Sequence, residues 1–405
     1  FNGPVVFDHA RIDGYAGFAS AGRHRTTFGD NAGFLNAQFG STADFRGARF
    51  AARANFSGMR VGNHALFRTD ESRNRTAFGG PVSFHGAQIT RNAEFTGAIF
   101  CGDANFDIMH VGGDAHFHRD TYHTSVTFER AVSFLSAVIG VDALFSRAEF
   151  KDKVEFDHTR VEGRADFERA IFAGAARASF IRVRLMSGGD FSFVRFGDDT
   201  DFSGAVAARD IDFSGALFAG RIRFNEARFE SVFFGRPTSG PPGGALLPWM
   251  KPRELADMTL FRDAVDFRGL AYERIHVQLD QIFSRVAPFD RQPYSRLEAF
   301  YHGIGDDSRA NDVYLERRRV ERKNKFRLRA FHSWGADWLY KVVANYGVRP
   351  FRLVGYSLAI IWFGAVLFSK PGALEPKEGS LSPGSVTLGP SDGRDVSLRY
   401  FLPID

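Results

Sequence analysis

Twelve histidines are scattered along the 405-residue chain, and only His110, His116 and His118 fall close together. A zinc ion held there would need a third ligand and an outer shell of hydrogen bonds, so the cluster reads as the solvated edge of a loop. Carboxylates stand one place before a phenylalanine at Asp44, Glu94, Glu155 and Asp166. Facing pairs of such groups would suit acid–base work, but their return at every turn of a repeat marks them as surface or corner residues. The single cysteine, Cys101, excludes an intrachain disulfide and a cysteine-based zinc site, and suits a reducing compartment. No glycine-rich phosphate loop, nucleophile elbow or HExxH occurs. The expectation is therefore a chain with no catalytic, cofactor-binding or metal residue, a binding or structural protein rather than an enzyme.

What the chain does carry is phenylalanine, 45 residues against 10 Tyr and 4 Trp. Something periodic selects a large side chain without a polar atom. Phe recurs at 34, 45, 56 and 67, again at 84, 95, 106 and 117, and again at 134, 145, 156 and 167. The step within a run is 11, the step between runs is 17, and the full period is 50 residues. A second large apolar residue follows five places on, as at Phe39, Phe50 and Val61, and a small one often stands two before, as at Ala43 and Ala48.

Sides of five and six residues with two inward positions fit neither a helix nor a plain strand. They fit short extended sides joined by tight corners, stacked about 4.8 Å apart. On a four-sided turn Phe34, Phe56, Phe84, Phe106, Phe134 and Phe156 share one wall. Phe45, Phe67, Phe95, Phe117, Phe145 and Phe167 share the opposite one, and Phe39, Val61, Ile89 and Val111 begin a third, mainly aliphatic ladder. About ten turns are expected over residues 1–234. Each run ends in an enlarged gap filled by a polar stretch, 68–77 and then 118–127, with a comparable stretch at 19–27. These read as loops at one corner of every second turn, free of core duty and the most exposed part of the rod.

The stretches ADFRG (43–47), ARFAA (48–52), ANFSG (54–58), AEFTG (93–97) and DFSGA (201–205) resemble those of pentapeptide repeat proteins. The resemblance covers roughly residues 1–234 and implies a right-handed, four-sided β-helix. The steps of 11 and the long loops depart from the family's pattern.

Beyond the repeats, GRPTSGPPGGALLP opens a Gly/Pro-rich linker over 235–256, and 257–293 reads as a repeat-like edge or cap. Residues 294–345 form a basic segment with two helices read within 294–329, stopped between them by Gly303 and Gly305. The net charge of +5 is uneven: residues 1–234 hold 27 basic and 28 acidic groups, leaving 52 − 27 = 25 and 47 − 28 = 19 for the rest. Arg317, Arg318, Arg319, Arg322, Lys323, Lys325, Arg327 and Arg329 make a basic collar suited to anionic lipid. Residues 350–369 contain one charge, Arg352. Pro350 suits the first turn of a helix, and Leu353, Leu358, Ile360, Ile361, Trp362, Phe363, Val366, Leu367 and Phe368 make it apolar. Twenty residues span about 30 Å, one hydrocarbon core, so a transmembrane helix is expected, against the competing reading of a buried core helix. The collar places the repeats on the cytoplasmic side of an inner membrane. Residues 370–405 would then be an extracytoplasmic loop and tail.

The segment 290–321 resembles one that follows the repeats in membrane-associated pentapeptide proteins, and YGVRPFRL with its apolar run resembles those with an ion-channel-like tail. That tail implies a pore segment and a second membrane helix; no TVGYG filter occurs. The start at Phe1 and the stop at Asp405 read as those of a fragment. The leading expectation is a membrane-anchored cytoplasmic scaffold, with a protein partner on loops 68–77 and 118–127 or on a rod face, and a possible homo-oligomer through the membrane segment. A regulatory domain of a channel-like protein is the alternative, and a membrane-associated enzyme is third. Duplex-DNA mimicry needs a strongly negative surface, and the repeats sum to 27 − 28 = −1, so no nucleic-acid partner is expected.

Overall fold

A computed structural model describes residues 1–20, 24–174, 177–235, 258–277, 285–325 and 351–368. The first compact unit, Phe1–Gly305, is built almost wholly of two-residue parallel strands. Each turn has four of them. In one turn they are Ala32–Gly33, Gln38–Phe39, Ala43–Asp44 and Arg49–Phe50, here sides one to four. The next turn repeats them in register, pairing Ala32 with Ala54, Phe39 with Val61, Ala43 with Ala65 and Phe50 with Phe78. Side one runs through eleven strands and side four through ten, while sides two and three belong to one sheet of nineteen. Eleven levels are ten spacings, about 48 Å at the usual strand separation.

The inward residues explain the stack. Phe34 lies on Phe56 with ring centroids 4.9 Å apart and planes 7° from parallel, and Phe56 lies likewise on Phe84 at 4.8 Å. The facing column repeats this from Phe45 to Phe67 at 4.9 Å and Phe67 to Phe95 at 5.1 Å. Between columns the rings meet edge to face, Phe34 against Phe45 at 5.2 Å and 85°. Each ring thus has the offset-stacked and T-shaped neighbours that its quadrupole favours. All twelve ladder phenylalanines are at most 3% exposed. A fourth column, Phe28, Phe50, Phe78, Phe100 and Phe128, lines side four with spacings of 4.6 to 5.1 Å.

Corners are sharp enough to need special residues. Gly58 and Gly86 take the left-handed conformation between sides one and two. Between sides two and three, successive turns approach so closely that a Cβ on Gly62 would lie 2.3 Å from the Gly40 carbonyl oxygen. In the last three levels this second corner straightens. Val206–Asp212, Arg228–Phe233 and Ala271–His276 are continuous strands, which is why sides two and three form one sheet.

The repeat does not stop at the Gly/Pro-rich segment. The chain leaves at Gly235, bridged to Met258, and Leu260–Phe261, Val265–Asp266 and Ala271–His276 add a further turn in register with the one before. The boundary placed at residue 235 is therefore an insertion inside the stack, and the edge expected over 257–293 is its last turn; 236–257 lie outside the described residues. Helix α1 (Arg291–Gly303) closes this end of the first unit. Asp290 caps it, and Tyr294, Leu297 and Tyr301 are buried. Gln292 accepts from the Gly269 amide at 3.0 Å, and Arg296 lies over the Tyr272 ring and donates to the Tyr272 carbonyl at 3.2 Å.

The second unit, Asp306–Asp405, contains α2 (Asp307–Lys325) and α3 (Phe351–Phe368). Two collar arginines form ion pairs within α2, Arg318 with Glu321 and Arg319 with Glu316, both at 3.4 Å. Arg317 stacks over Tyr314. The collar is thus less free for lipid than its charge implied, because i,i+3 neighbours on a helix meet. The side chains of Lys323 and Lys325, and Arg327, Arg329, Pro350 and the tail 369–405, lie outside the described residues. Among the described residues no helix is long and apolar enough to cross a membrane. Side chains of α3 are described at Gly355 and from Ser357 to Val366. Within them Leu358, Ile360, Trp362, Phe363 and Val366 are exposed and Ile361 is half-buried; the Leu353, Leu367 and Phe368 side chains are not described.

Candidate functional site

The two polar loops leave the rod at the corner between sides three and four, two turns apart. Each is a folded structure. Asp70 accepts from the Asn74 amide at 2.7 Å and Asp120 from the Thr124 amide at 2.7 Å. The Asp70 amide donates to the Asn74 carbonyl, and the Asp120 amide to that of Thr124. Arg73 and His123 both take the left-handed turn at φ 63° and 67°. Asp at the first position is suited to this, since its carboxylate satisfies the turn's own amides.

Loops are tied to the rod and to each other. Thr76 donates to the Phe45 and Arg68 carbonyls at 3.1 and 3.0 Å and accepts from the Gly47 amide at 3.0 Å. Arg75 donates to Gly97 O at 2.7 Å and to Ser125 O, in the next loop, at 2.9 Å. Arg25 repeats the arrangement fifty residues earlier, on Gly47 O at 2.9 Å and on Arg75 O. Thr69 donates to Asp120 at 2.8 Å, and Arg73 lies over the Tyr122 ring at 5.2 Å. Burial lowers the Arg75 pKa, and Asp120 partly restores it. Contrary to expectation the loops are not the most exposed part of the rod. Thr69, Asp70, Thr76, Val126 and Thr127 are buried, because an unpaired backbone at a corner must be satisfied from within the loop. Only Glu71, Ser72 and Arg73, and Thr121, Tyr122 and His123, stand exposed as tips.

The carboxylates before phenylalanine differ in fate. Asp44 is fully buried rather than at the surface, because Tyr15 from the preceding turn donates to it at 2.7 Å and Arg46 grips it at 2.8 Å. Burial alone would raise its pKa, but the Arg46 and Tyr15 hydrogen bonds outweigh that and hold it below the ordinary value. Glu94 pairs with Arg68 at 2.9 Å and Glu155 with Lys153 at 2.5 Å. Asp166 is pushed up by burial. His116 Nδ1 lies 3.3 Å from His118 Nε2, while His110 sits on side two, on the strand before. Burial, then the neighbouring His118, depresses His116. No group of three or more candidate metal ligands occurs among the described residues.

The brackets at Arg25 and Arg75 escaped the reading of the sequence. Their signal is Arg-Thr at 25–26 and again at 75–76, a 50-residue recurrence hidden inside stretches that vary otherwise. No protein-family model, curated protein or solved structure matches the chain.

Proposed function

We propose that the chain is a membrane-anchored, non-catalytic scaffold: a pentapeptide-type, right-handed β-helix on the cytoplasmic side, presenting its loop ridge to a protein partner. The observation that carries this reading is the ridge itself. Two loops of the same turn geometry, one above the other, spend their buried residues on rigidity and hold six tip residues exposed in fixed positions. Rigid loops on a regular scaffold are where recognition residues gather, because less freedom is lost on binding. A core filled by stacked phenylalanine leaves no ligand-sized cleft along the ladders. The anchor is supported by the exposed apolar residues of α3, for which lipid is a suitable surrounding.

The test is a carbonate wash of membranes from cells making the chain, followed by capture of partners with the membrane-extracted protein. The chain should stay with the pellet, and a version ending at Arg349 should leave it. Replacing Arg73 and Tyr122 by serine should lose a captured partner while the melting curve changes little. A chain that washes free and stays monodisperse without detergent would overturn the anchor. Partners unaffected by the tip changes would overturn the ridge.

A further inference from the structure

Four groups stand in a line at the base of loop 118–127. Asp114 Oδ2 lies 3.7 Å from His116 Nε2, His116 Nδ1 lies 3.3 Å from His118 Nε2, and His118 Nδ1 lies 2.7 Å from the Arg119 carbonyl oxygen. Both ends of the line are acceptors, a carboxylate and a carbonyl. Three contacts need three protons to become hydrogen bonds, and two neutral imidazoles carry two. The carbonyl decides where those two sit. It can only accept, so His118 Nδ1 carries one, and the bare His118 Nε2 takes the other from His116 Nδ1. His116 Nε2 is then a lone pair. It is shut off from solvent, has no hydrogen-bond partner among the described residues, and faces a carboxylate. A buried acceptor set against an anion is a place for one more proton.

The surroundings of that place are mostly anionic. On side three His116 lies in register between Glu94 of one turn and Leu144 of the next. Asp114 and Asp142 come from the corner before side three, and Asp114 accepts from the Asp142 amide at 3.1 Å and from Asn92 at 3.4 Å. Arg68, a cation on this side, is held by Glu94 at 2.9 Å. The same register sets His118 between Thr96 and Ser146, neither of them charged. Burial first, and then His118, lower the His116 pKa, while Glu94, Asp114 and Asp142 act the other way. The chain's own period supplies a comparison. Fifty residues earlier the equivalent places hold His64, Leu66, Arg68 and Thr69, so loop 68–77 rests on no such line.

We propose that Asp114, His116, His118 and the Arg119 carbonyl form a one-proton latch that fastens the base of loop 118–127 in mild acid. With the proton on His116 Nε2 every contact has its donor, and the His116–His118 bond becomes charge-assisted and stronger. That bond holds the residue from which the loop leaves the rod, so the tip with Thr121, Tyr122 and His123 moves less. A second proton, on His118 Nε2, sets donor against donor and undoes the same bond, which confines the fastening to an interval of pH. The ridge thus has one loop that answers to pH and one that does not. The latch stands whether or not the ridge meets a protein partner, since every group in it belongs to this chain.

The test uses the full chain with Cys101→Ser and His123→Asn, which leaves the line's own imidazoles as those of the loop. One version carries a dye on Thr121→Cys at the tip, and a control carries it on Ser72→Cys in the other loop. Fluorescence anisotropy is followed as the pH is lowered from neutral. At 121 it should rise through a one-proton step centred below about pH 6.5 and fall again in stronger acid, while at 72 it stays level. His116→Gln, whose amide takes up no proton, should abolish the rise. Asp114→Asn keeps an acceptor for the Asp142 amide but loses the anion, and should move the step down by about one pH unit. Far-ultraviolet dichroism shows whether each version is folded, and Asp114→Asn carries the test if His116→Gln is not. A level trace at 121, a step that survives His116→Gln, or the same step at 72 would overturn the latch. A step that Asp114→Asn leaves in place would overturn it too, because the proton would then not lie between Asp114 and His116.

Discussion

Asp44 shows how a repeat of small and large residues can hold an ion at its wall. Asp44 and Arg46 are two residues apart on an extended side, so both side chains leave by the same face while Phe45 points in. The same triplet at Asp266, Phe267 and Arg268 makes the same fork, with Arg268 Nη2 2.7 Å from Asp266. Burial acts to raise the Asp266 carboxyl, and Arg268 more than reverses it, so both aspartates are depressed. The sign of the linkage follows. A carboxyl whose folded pKa lies below its unfolded value contributes stability that is present above the unfolded value, about 3.9, and lost as pH falls through the folded one. Unfolding free energy measured from pH 7 downward should therefore decline below about pH 4. In Asp44→Asn the curve should start lower and fall less. Curves that run parallel would show that the fork contributes nothing. Sequence alone placed Asp44 among corner residues, because one-dimensional spacing does not reveal that Tyr15, 29 residues earlier, reaches over it.

At the scale of sides and loops, the 50-residue period makes the molecule its own control. Positions 59, 109 and 159 are equivalent, and the first two are Met59 and Met109, both fully buried. The third is Thr159, and beside it lies a small cavity lined by Phe156, Phe180, Val161 and Leu185 among others. Thr159→Met should fill that space and stabilise the rod by about 1 kcal/mol. The lost hydroxyl bond to the Phe134 carbonyl is tolerable, since that oxygen also accepts from the Ala137 amide at 3.0 Å. A lower melting temperature would mean that the site is closed to a longer side chain. The phenylalanine ladders were legible because one residue type marked each inward position and each ring touches its own kind. The loops were legible only as insertions. Their buried bases depend on Arg75, Thr76 and Asp120 meeting groups in other turns, and polar composition alone reads as exposure. The corner at Ile108, left-handed with a φ of 57°, was invisible for the same reason, since isoleucine in sequence suggests a strand interior.

For the whole stack, each turn rests mainly on the turns before and after it, so stability should be close to a sum over neighbours. The stretch between Gly235 and Met258 makes the point, since 22 residues separate them in sequence and Leu260–Phe261 still takes the register of Leu217–Phe218. A deletion of whole periods should then be tolerated where a deletion of half a period is not. Removing residues 32–81 takes out 50 positions and joins Asn31 to Val82. Val5, which pairs with Ala32, would meet Val82, its equivalent, and Phe28 would stack on Phe100 in place of Phe50. Arg25, which now donates to Arg75 O, would reach Ser125 O, the group that Arg75 itself holds. The shortened chain should keep its far-ultraviolet signal per residue and one cooperative transition, with stability reduced by the two lost levels. Removing only residues 32–53, one plain turn, keeps each side in register, since Ala54 takes the place of Ala32, but it sets the looped turn of 68–77 directly on the looped turn before it, and should abolish the transition. If both deletions behave alike, the alternation of plain and looped turns is decoration. If only the 50-residue deletion folds, the pair of turns is the unit from which this rod is built.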